Sequence, residues 1–250
     1  MRQKITPAAC PKTETVPGCP PINIALLGKN SRPMERVEDV IMDLEQALSV
    51  ERFARYLEWA RGDRRLAIEL YTLNTRVSES LYTPLQMLEV ALRNRIHGVM
   101  TASHQDLWFC DAKIVLVDHQ AEQVAKAVRH LESEGKEMTP GRIVAALTFS
   151  FWTSMFSPVY ETLWQTSLHR IATRPDGRGL RRKDFSSRLR PIRTLRNRIA
   201  HHEPIIMWNL RRHHQNMMDM TEWLSPPAAA WCRLNCRFGE VYSADRSYPG

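Results

Sequence analysis

Helix-starting residues recur along this chain, each in front of apolar residues that repeat every three or four positions. Ser49 precedes a segment in which Phe53, Tyr56 and Ala60 share one helical face. A serine in that place accepts a hydrogen bond from a free amide of the first turn, and the apolar spacing is typical of an α-helix with one side in a core. The sequence therefore predicts a helix over residues 50–60, ended by Gly62.

Similar patterns predict further helices. Asp63 precedes another apolar series, and Thr83-Pro84-Leu85-Gln86 has the form of a capping box with proline at the first helical position. Thr139-Pro140 and Ser157-Pro158 repeat the pairing of a capping residue with a proline. The later predicted helices cover about 84–100, 121–131, 140–156, 158–172, 184–202 and 209–224, with a shorter one after Pro226-Pro227.

Two prolines affect the helix predicted over residues 184–202. Pro191 lies inside it and removes one backbone donor, which predicts a kink or a division into two helices. Pro204 pushes Glu203 out of the α region, so the helix is expected to stop there.

The fold class predicted from these patterns is all-α, because no convincing alternating strand and no glycine-rich phosphate loop occurs. Residues 1–34 are proline-rich and aperiodic, which predicts a poorly structured tail. We expect a single helical domain over residues 35–240 and a short C-terminal tail over residues 241–250.

Apolar runs and cysteines bear on the cellular compartment. The longest mainly apolar run, Ile143 to Phe149, has seven residues, whereas a membrane-spanning helix needs about 20. The N-terminus carries positive charge without an apolar stretch behind it, which is unlike a secretory signal. The five cysteines are scattered, and Cys232 and Cys236 are expected to be half-buried thiols on one helix face. These observations predict a cytoplasmic protein with no membrane partner.

Positive charge is concentrated in one part of the chain. The net charge is +8, and ten basic residues lie between residues 174 and 198 against only Asp176 and Asp184. A solvated basic face is the simplest account of such a run, but phosphate polyanions are its natural partners. The run leads directly into a histidine-containing motif, so we expect RNA contacts from Arg181, Arg182, Lys183, Arg188, Arg190, Arg193 and Arg198.

That motif, RNRIAHHEP, spans Arg196 to Pro204. The spacing of Arg196 and His201 is weak evidence by itself, because 28 arginines and 9 histidines in this chain produce about one such pair by chance. The context adds weight. Asn197 is four residues before His201 on the same helical face, and the predicted helix end at Pro204 leaves His201 accessible.

These side chains are suited to cleaving RNA without a metal or cofactor. His201 is predicted to exchange a proton with the ribose 2′-hydroxyl or the leaving oxygen, and Arg196 to stabilise charge on the phosphoryl oxygens. Separate acid and base groups are desirable. A homodimer that joins two motif helices would supply both, and His202 is an alternative within one chain.

The segment LRNRIAHHEPI, residues 195–205, resembles a motif of the Abi-like (abortive infection, AbiD/AbiF type) family of the HEPN superfamily. LYTLNTRVSESLYTPLQMLEVALRN at residues 70–94 resembles the N-terminal motif of that family. So do the central block 147–152 with Leu163-Trp164 and the closing Trp223-Leu224-Ser225-Pro226. The resemblance extends over roughly residues 49–238. Pro191 and the proline- and cysteine-rich N-terminus depart from the family pattern.

The resemblance implies an all-α HEPN-type helical bundle with additional helices, homodimerisation, and a toxin-like endoribonuclease used in phage defence, with a possible cognate antitoxin of protein or RNA. It assigns the catalytic roles to Arg196, Asn197 and His201. A second segment, Arg93-Asn94-Arg95-Ile96-His97, echoes the motif. If Glu89, Arg93 and Asn94 are buried against the motif helix, they are expected either to orient Arg196 or His201 or to form a plain buried polar network.

Two other functions remain open at this point. One is a non-catalytic HEPN module that binds RNA or a partner protein through the basic run. The other is an enzyme that uses a metal bound by His201, His202, His213 and His214, although two adjacent pairs twelve residues apart match no familiar ligand spacing. We therefore predict no metal site.

Overall fold

The computed structural model describes residues 47–242. The tail predicted over residues 1–34, and all but the first two residues of the one predicted over 241–250, lie outside the described residues. The described part is helical, with no strand between residues 47 and 242. The all-α prediction is confirmed. The helices are α1 (Val50–Trp59), α2 (Arg64–Ser80), α3 (Tyr82–Ser103), α4 (Asp118–Ser133), α5 (Pro140–Ala146), α6 (Phe149–Ser154), α7 (Glu161–Thr166), α8 (Arg182–Ala200), α9 (Leu210–Leu224), α10 (Pro226–Asn235) and α11 (Phe238–Val241).

Several predicted helix boundaries are confirmed by their capping contacts. The side chains of Ser49, Asp63, Thr139 and Asn209 accept hydrogen bonds from the first turns of α1, α2, α5 and α9. Each bond satisfies an amide that the helix itself leaves without a partner. Gly62, with φ +86°, comes after α1 in a left-handed conformation that a side chain would disfavour.

Helix α3 is the centre of the fold. Its residues Leu88, Leu92, Ile96 and Met100 have no exposed surface. It packs against α9, α10, α6 and a short 3₁₀ helix, Leu168–Ile171. Each fully buried aliphatic side chain contributes about 1.5–3 kcal/mol to stability, so this helix holds the surrounding elements together.

The start of α3 differs from the prediction. Thr83 makes no capping bond; α3 begins at Tyr82, and Leu81 joins it to α2 with helical φ and ψ angles. The amide of Leu81 donates to Val77, and its carbonyl accepts from Leu85. Leu81 is fully buried. Packing at this junction therefore keeps the two helices almost continuous, and Pro84 lies in the first turn, where no intrahelical donor is required.

The central predicted helices are shorter than expected. Residues 140–156 divide into α5 and α6, because Leu147 is extended and Thr148 starts a new helix by accepting from the amide of Phe151. Residues 158–172 form the 3₁₀ helix Pro158–Tyr160, then α7, then Leu168–Ile171.

Helix α8 passes through Pro191 without division. Of the two predicted alternatives, division into two helices is wrong, and a kink at Pro191 stays a prediction. Leu189 and Ile192, on either side of the proline, are almost completely buried. Their packing offsets the backbone hydrogen bond that the proline removes.

A smaller apolar cluster lies beside the main core. It is formed by Phe53, Tyr56 and Ala60 of α1 with Leu66, Ala67 and Leu70 of α2, and Ile206 packs against it. The α1–α2 hairpin is thereby joined to the segment after α8. No helix of the described chain is both long and apolar enough to cross a membrane.

Candidate functional site

The motif helix α8 ends at Ala200, so His201 lies at the helix terminus. The amide of His202 donates to Ile199 at 3.0 Å and that of Glu203 to Arg198 at 2.8 Å. This pair of bonds is the Schellman arrangement that closes many helices. His202 takes the left-handed position at φ 56°, a conformation uncommon for residues other than glycine. Both imidazoles are exposed.

An exposed stripe runs along α8 to His201. Its members are spaced alternately four and three residues apart, which keeps them on one side of the helix. The stripe extends about 27 Å along the helix axis. Its members are Lys183, Ser187, Arg190, Thr194, Asn197 and His201. Asn197 lies one turn before His201, and the two cations, Lys183 and Arg190, lie further back along the helix.

Arg196 lies beside this stripe and is held by α3. Its Nε is 3.9 Å from Oε2 of Glu89, and the two side chains are 41% and 24% exposed. Burial raises the pKa of Glu89, while the guanidiniums of Arg196 and Arg93 oppose that rise. The structure thus brings Glu89, Arg93 and Arg196 together, whereas Asn94 is exposed. Glu89 is in position to orient Arg196 and to neutralise part of its positive charge.

The segment after α8 is fixed by contacts from three directions. Arg198 donates from Nε and Nη2 to the carbonyl of Pro204 at 3.2 and 3.0 Å, and its guanidinium lies 5.1 Å from the centre of the Trp208 ring. The amide of Ile205 donates to the side chain of Asn74 on α2 at 2.7 Å, inside the protein. These contacts determine where the chain leaves the helix, and with it the direction of His201.

Arg52 reaches the site from α1. Its Nη2 donates to the main-chain carbonyl of His201 at 3.4 Å, and its side chain is exposed. Arg52, Asn74 and Trp208 were not predicted from the sequence. Asn74 was detectable, because it is a polar residue on the apolar face that Leu70 and Val77 define. Arg52 carried no such signal, since it is 149 residues from His201.

The basic run is mostly engaged with the protein itself. Arg182 is buried, donating to Glu161 at 2.6 Å and to the carbonyl of Phe156 at 2.5 Å, so the predicted RNA contact from Arg182 is not retained. Arg188 lies over the ring of Trp223, and Arg193 donates to Thr153 at 3.3 Å.

Arg181 is exposed but pairs with Asp184 at 3.3 Å. Lys183 and Arg190 are exposed on the stripe that contains His201. Of the predicted RNA-binding residues, Arg181, Lys183 and Arg190 are exposed, and of these three only Arg181 has an acidic partner among the described residues.

The second Arg-Asn-Arg-Ile segment, on α3, has a different environment. Arg95 donates to the carbonyls of Ile171 and Arg170 at 2.8 and 3.1 Å. Nδ1 of His97 accepts from the indole nitrogen of Trp108 at 3.2 Å. Burial lowers the pKa of His97, and Asp106 opposes that change. This segment joins parts of the core.

His213 and His214 have different surroundings from those of the motif histidines His201 and His202. His213 is close to the Trp208 ring, and His214 stacks on Phe238, with its Nε2 3.4 Å from Sγ of Cys236. Burial lowers the pKa of both imidazoles. Among residues 47–242, no group of three or more histidine, cysteine, aspartate or glutamate side chains is arranged to hold a metal ion. The prediction of two half-buried thiols on one helix face is met only in part: Cys236 is half-buried but lies just after the end of α10, and Cys232 is fully buried.

Fold and site together define an all-α protein with an arginine, an asparagine and a histidine at the exposed end of one helix. The model of the Abi-like protein family matches residues 62–209, more than half of the chain. The chain therefore belongs to the Abi-like protein family, and this membership associates it with abortive-infection defence. Among curated proteins and solved structures, none matches the sequence.

Proposed function

We propose that this protein is a metal-independent endoribonuclease of the HEPN type, acting as a toxin in abortive-infection defence in the cytoplasm. The observation that carries the proposal is the end of α8. His201 is exposed at the terminus, Asn197 precedes it on the same stripe, and Arg196 lies alongside, contacted by Glu89. A cation, an amide and an imidazole are the groups that phosphodiester transfer without a metal requires.

The proposed reaction begins when a ribose 2′-hydroxyl attacks the adjacent phosphorus. His201 takes the hydroxyl proton, or donates a proton to the 5′ oxygen as its bond to phosphorus breaks. The products are a 2′,3′-cyclic phosphate and a 5′-hydroxyl. Arg196 stabilises the negative charge that builds up on the phosphoryl oxygens. DNA is not cleaved, because it lacks the attacking hydroxyl.

A second proton-transfer group is needed for efficient cleavage, and we propose that a homodimer supplies it. Two copies of α8 placed side by side would bring both His201 side chains to one phosphate. His202, also exposed, is the alternative within a single chain. Gel filtration gives the oligomeric state. Mixing wild-type protein with an excess of His201→Ala protein tests the shared site, because each mixed dimer then has only one His201 and should not cleave RNA efficiently if one phosphate needs both.

RNA is proposed to approach along the exposed stripe of α8. Lys183 and Arg190 lie on the same side of the helix as His201 and are available to phosphates. A cognate antitoxin of protein or RNA would restrain the enzyme by covering this surface.

The direct test is incubation of the purified protein with mixed cellular RNA in EDTA. We expect cleavage by the wild-type protein and by His130→Ala, which removes an exposed histidine of α4 that pairs with Glu134. His201→Ala should be inactive. Cleavage that survives His201→Ala contradicts the site assignment.

Two other results would redirect the proposal. Tight, salt-sensitive RNA binding without cleavage would identify a non-catalytic HEPN binding module. Cleavage that appears only when zinc or manganese is added would identify a metal-dependent enzyme.

A further inference from the structure

Arg52 lies on α1, before the residues that match the family, yet its side chain contacts the end of the motif helix. We propose that Arg52 is a phosphate-binding residue of the site, which the α1–α2 hairpin places beside His201. This inference rests on the proposed ribonuclease function, and names a substrate contact from outside the motif.

The position of Arg52 leaves most of its hydrogen-bonding capacity unused. Nη2 donates to the carbonyl of His201, at the negative end of the α8 dipole. A guanidinium has five N–H donors in a planar fork that fits phosphate oxygens, and this side chain is exposed to solvent. A phosphate bound near the His201 imidazole is therefore within reach of the same group.

Arg52 also differs from the neighbouring arginines in its ion pairs within the described residues. Arg196 pairs with Glu89, and Arg198 pairs with Glu203 at 3.4 Å. Across residues 47–242, no carboxylate lies within ion-pair distance of Arg52. Among the ion pairs of residues 47–242, Arg196 and Arg198 each have an acidic partner and Arg52 has none. A phosphate would provide the missing counter-charge.

Packing determines where Arg52 lies. Phe53 and Tyr56, its near neighbours on α1, are buried in the smaller apolar cluster, and Ile206 of the segment after α8 packs on that cluster. Burial raises the pKa of Tyr56, and Arg52 and Arg198 both oppose that rise, so the two guanidiniums lie near one buried hydroxyl. Asn74 ties α2 to Ile205. The hairpin and the helix end are thus one unit, and the guanidinium is presented by a fixed scaffold.

A purely structural role is the competing explanation, because arginines near helix ends often bond the last carbonyls. Two substitutions separate the roles. Arg52→Gln keeps a polar side chain but removes the charge, and it is shorter than the Arg52 side chain that reaches the His201 carbonyl. Arg52→Lys keeps the charge. Arg129→Gln, the same change at an arginine of α4, is the matched control.

The experiment measures binding of a short mixed-sequence RNA in which every 2′-hydroxyl is methylated, so that it cannot be cleaved, over a range of salt concentrations. For Arg52→Gln we expect the slope of log affinity against log salt to become shallower by roughly 0.7, the value for one phosphate contact on a single strand. Arg52→Lys should restore the slope, and Arg129→Gln should leave it unchanged. With unmodified RNA, kcat/KM of Arg52→Gln should fall about tenfold.

Thermal unfolding of each variant completes the test. A phosphate contact leaves the melting temperature of Arg52→Gln close to that of the wild type. A lower melting temperature with an unaltered salt slope overturns the proposal in favour of a structural cap. Wild-type cleavage with equal slopes and rates in Arg52→Gln overturns the Arg52 proposal alone. A wild-type protein that neither binds nor cleaves RNA overturns both this proposal and the ribonuclease function.

Discussion

The tetrapeptide Arg-Asn-Arg-Ile occurs twice in this protein, at residues 93–96 on α3 and 196–199 on α8, with different results. In both copies the second arginine donates to backbone carbonyls of another segment. The first arginines of the two copies act on the same carboxylate, that of Glu89. The two segments therefore meet across one partly buried carboxylate.

The copies differ in their position within a helix. Residues 93–96 lie in the middle of a 22-residue helix, and His97 accepts a hydrogen bond from Trp108. Residues 196–199 form the last turn of α8, and His201 is exposed at its end. The same four residues thus support the core in one helix and a candidate catalytic site in the other. The helix end, rather than the tetrapeptide, distinguishes the two.

The largest expected effect is on RNA cleavage, when the histidine that follows each copy is replaced by alanine in turn. His201→Ala should lower single-turnover RNA cleavage by about 10²- to 10⁴-fold, because it removes the proton-transfer group. His97→Ala should leave cleavage per folded molecule within a few-fold of the wild type. Equal losses in the two variants would mean that the copies are not functionally distinct.

For stability the order is reversed: we expect a larger loss from a substitution in the α3 copy than from one in the α8 copy. Arg95→Met leaves the carbonyls of Ile171 and Arg170 without their donor, which is expected to cost about 0.5–1.5 kcal/mol of unfolding free energy, because these bonds are exposed or only partly buried. Arg196→Met removes a half-buried side chain whose ion pair is long, at 3.9 Å, so we expect a change of about 0.5 kcal/mol or less. Urea unfolding of the two variants measures both. A larger loss for Arg196→Met would contradict the comparison.

The shared acid connects the two copies, and Glu89→Gln tests that connection. We expect kcat to fall roughly tenfold, because Arg196 loses the charge that orients it. Burial raises the pKa of Glu89 above 4.5, so the folded protein binds this proton more tightly than the unfolded chain does.

The contribution of Glu89 to stability is therefore greatest below its ordinary pKa and decreases as pH rises through the raised value. Glu89→Gln removes that decrease. Its unfolding free energy should equal that of the wild type below the ordinary pKa of glutamate and exceed it once the pH has risen through the raised pKa of Glu89. A difference that does not change with pH would show that Glu89 is not the acid involved.

A small gain in stability is expected at the helix end itself. His202→Gly should raise stability by roughly 0.5–1 kcal/mol, because glycine adopts the left-handed conformation without strain. Thermal unfolding measures this change. Cleavage should be retained if the second proton-transfer group comes from a partner copy, and lost if His202 provides it. The variant therefore also decides between the two sources of that group.

Local patterns predicted much of the fold because capping and amphipathicity act within a few residues. Ser49, Asp63, Thr139 and Asn209 each cap the helix that their sequence context predicts. The Pro204 stop after α8 was also predictable, since proline restricts the residue before it. The capping box at Thr83 and the split at Pro191 failed, because buried Leu81, Leu189 and Ile192 outweigh the local preference.

The sequence by itself determined that the protein is helical, that α8 ends near His201, and that Asn197 and His201 share one face. Only the tertiary structure decided which basic residues are available. Arg182 is buried and Arg188 covers a tryptophan, whereas Arg52, distant in sequence, contacts the helix end. The physical reason is the distance along the sequence over which each kind of interaction acts. Helix caps and faces depend on neighbours three or four residues away, but the partner of a charged side chain depends on which helices the core brings together.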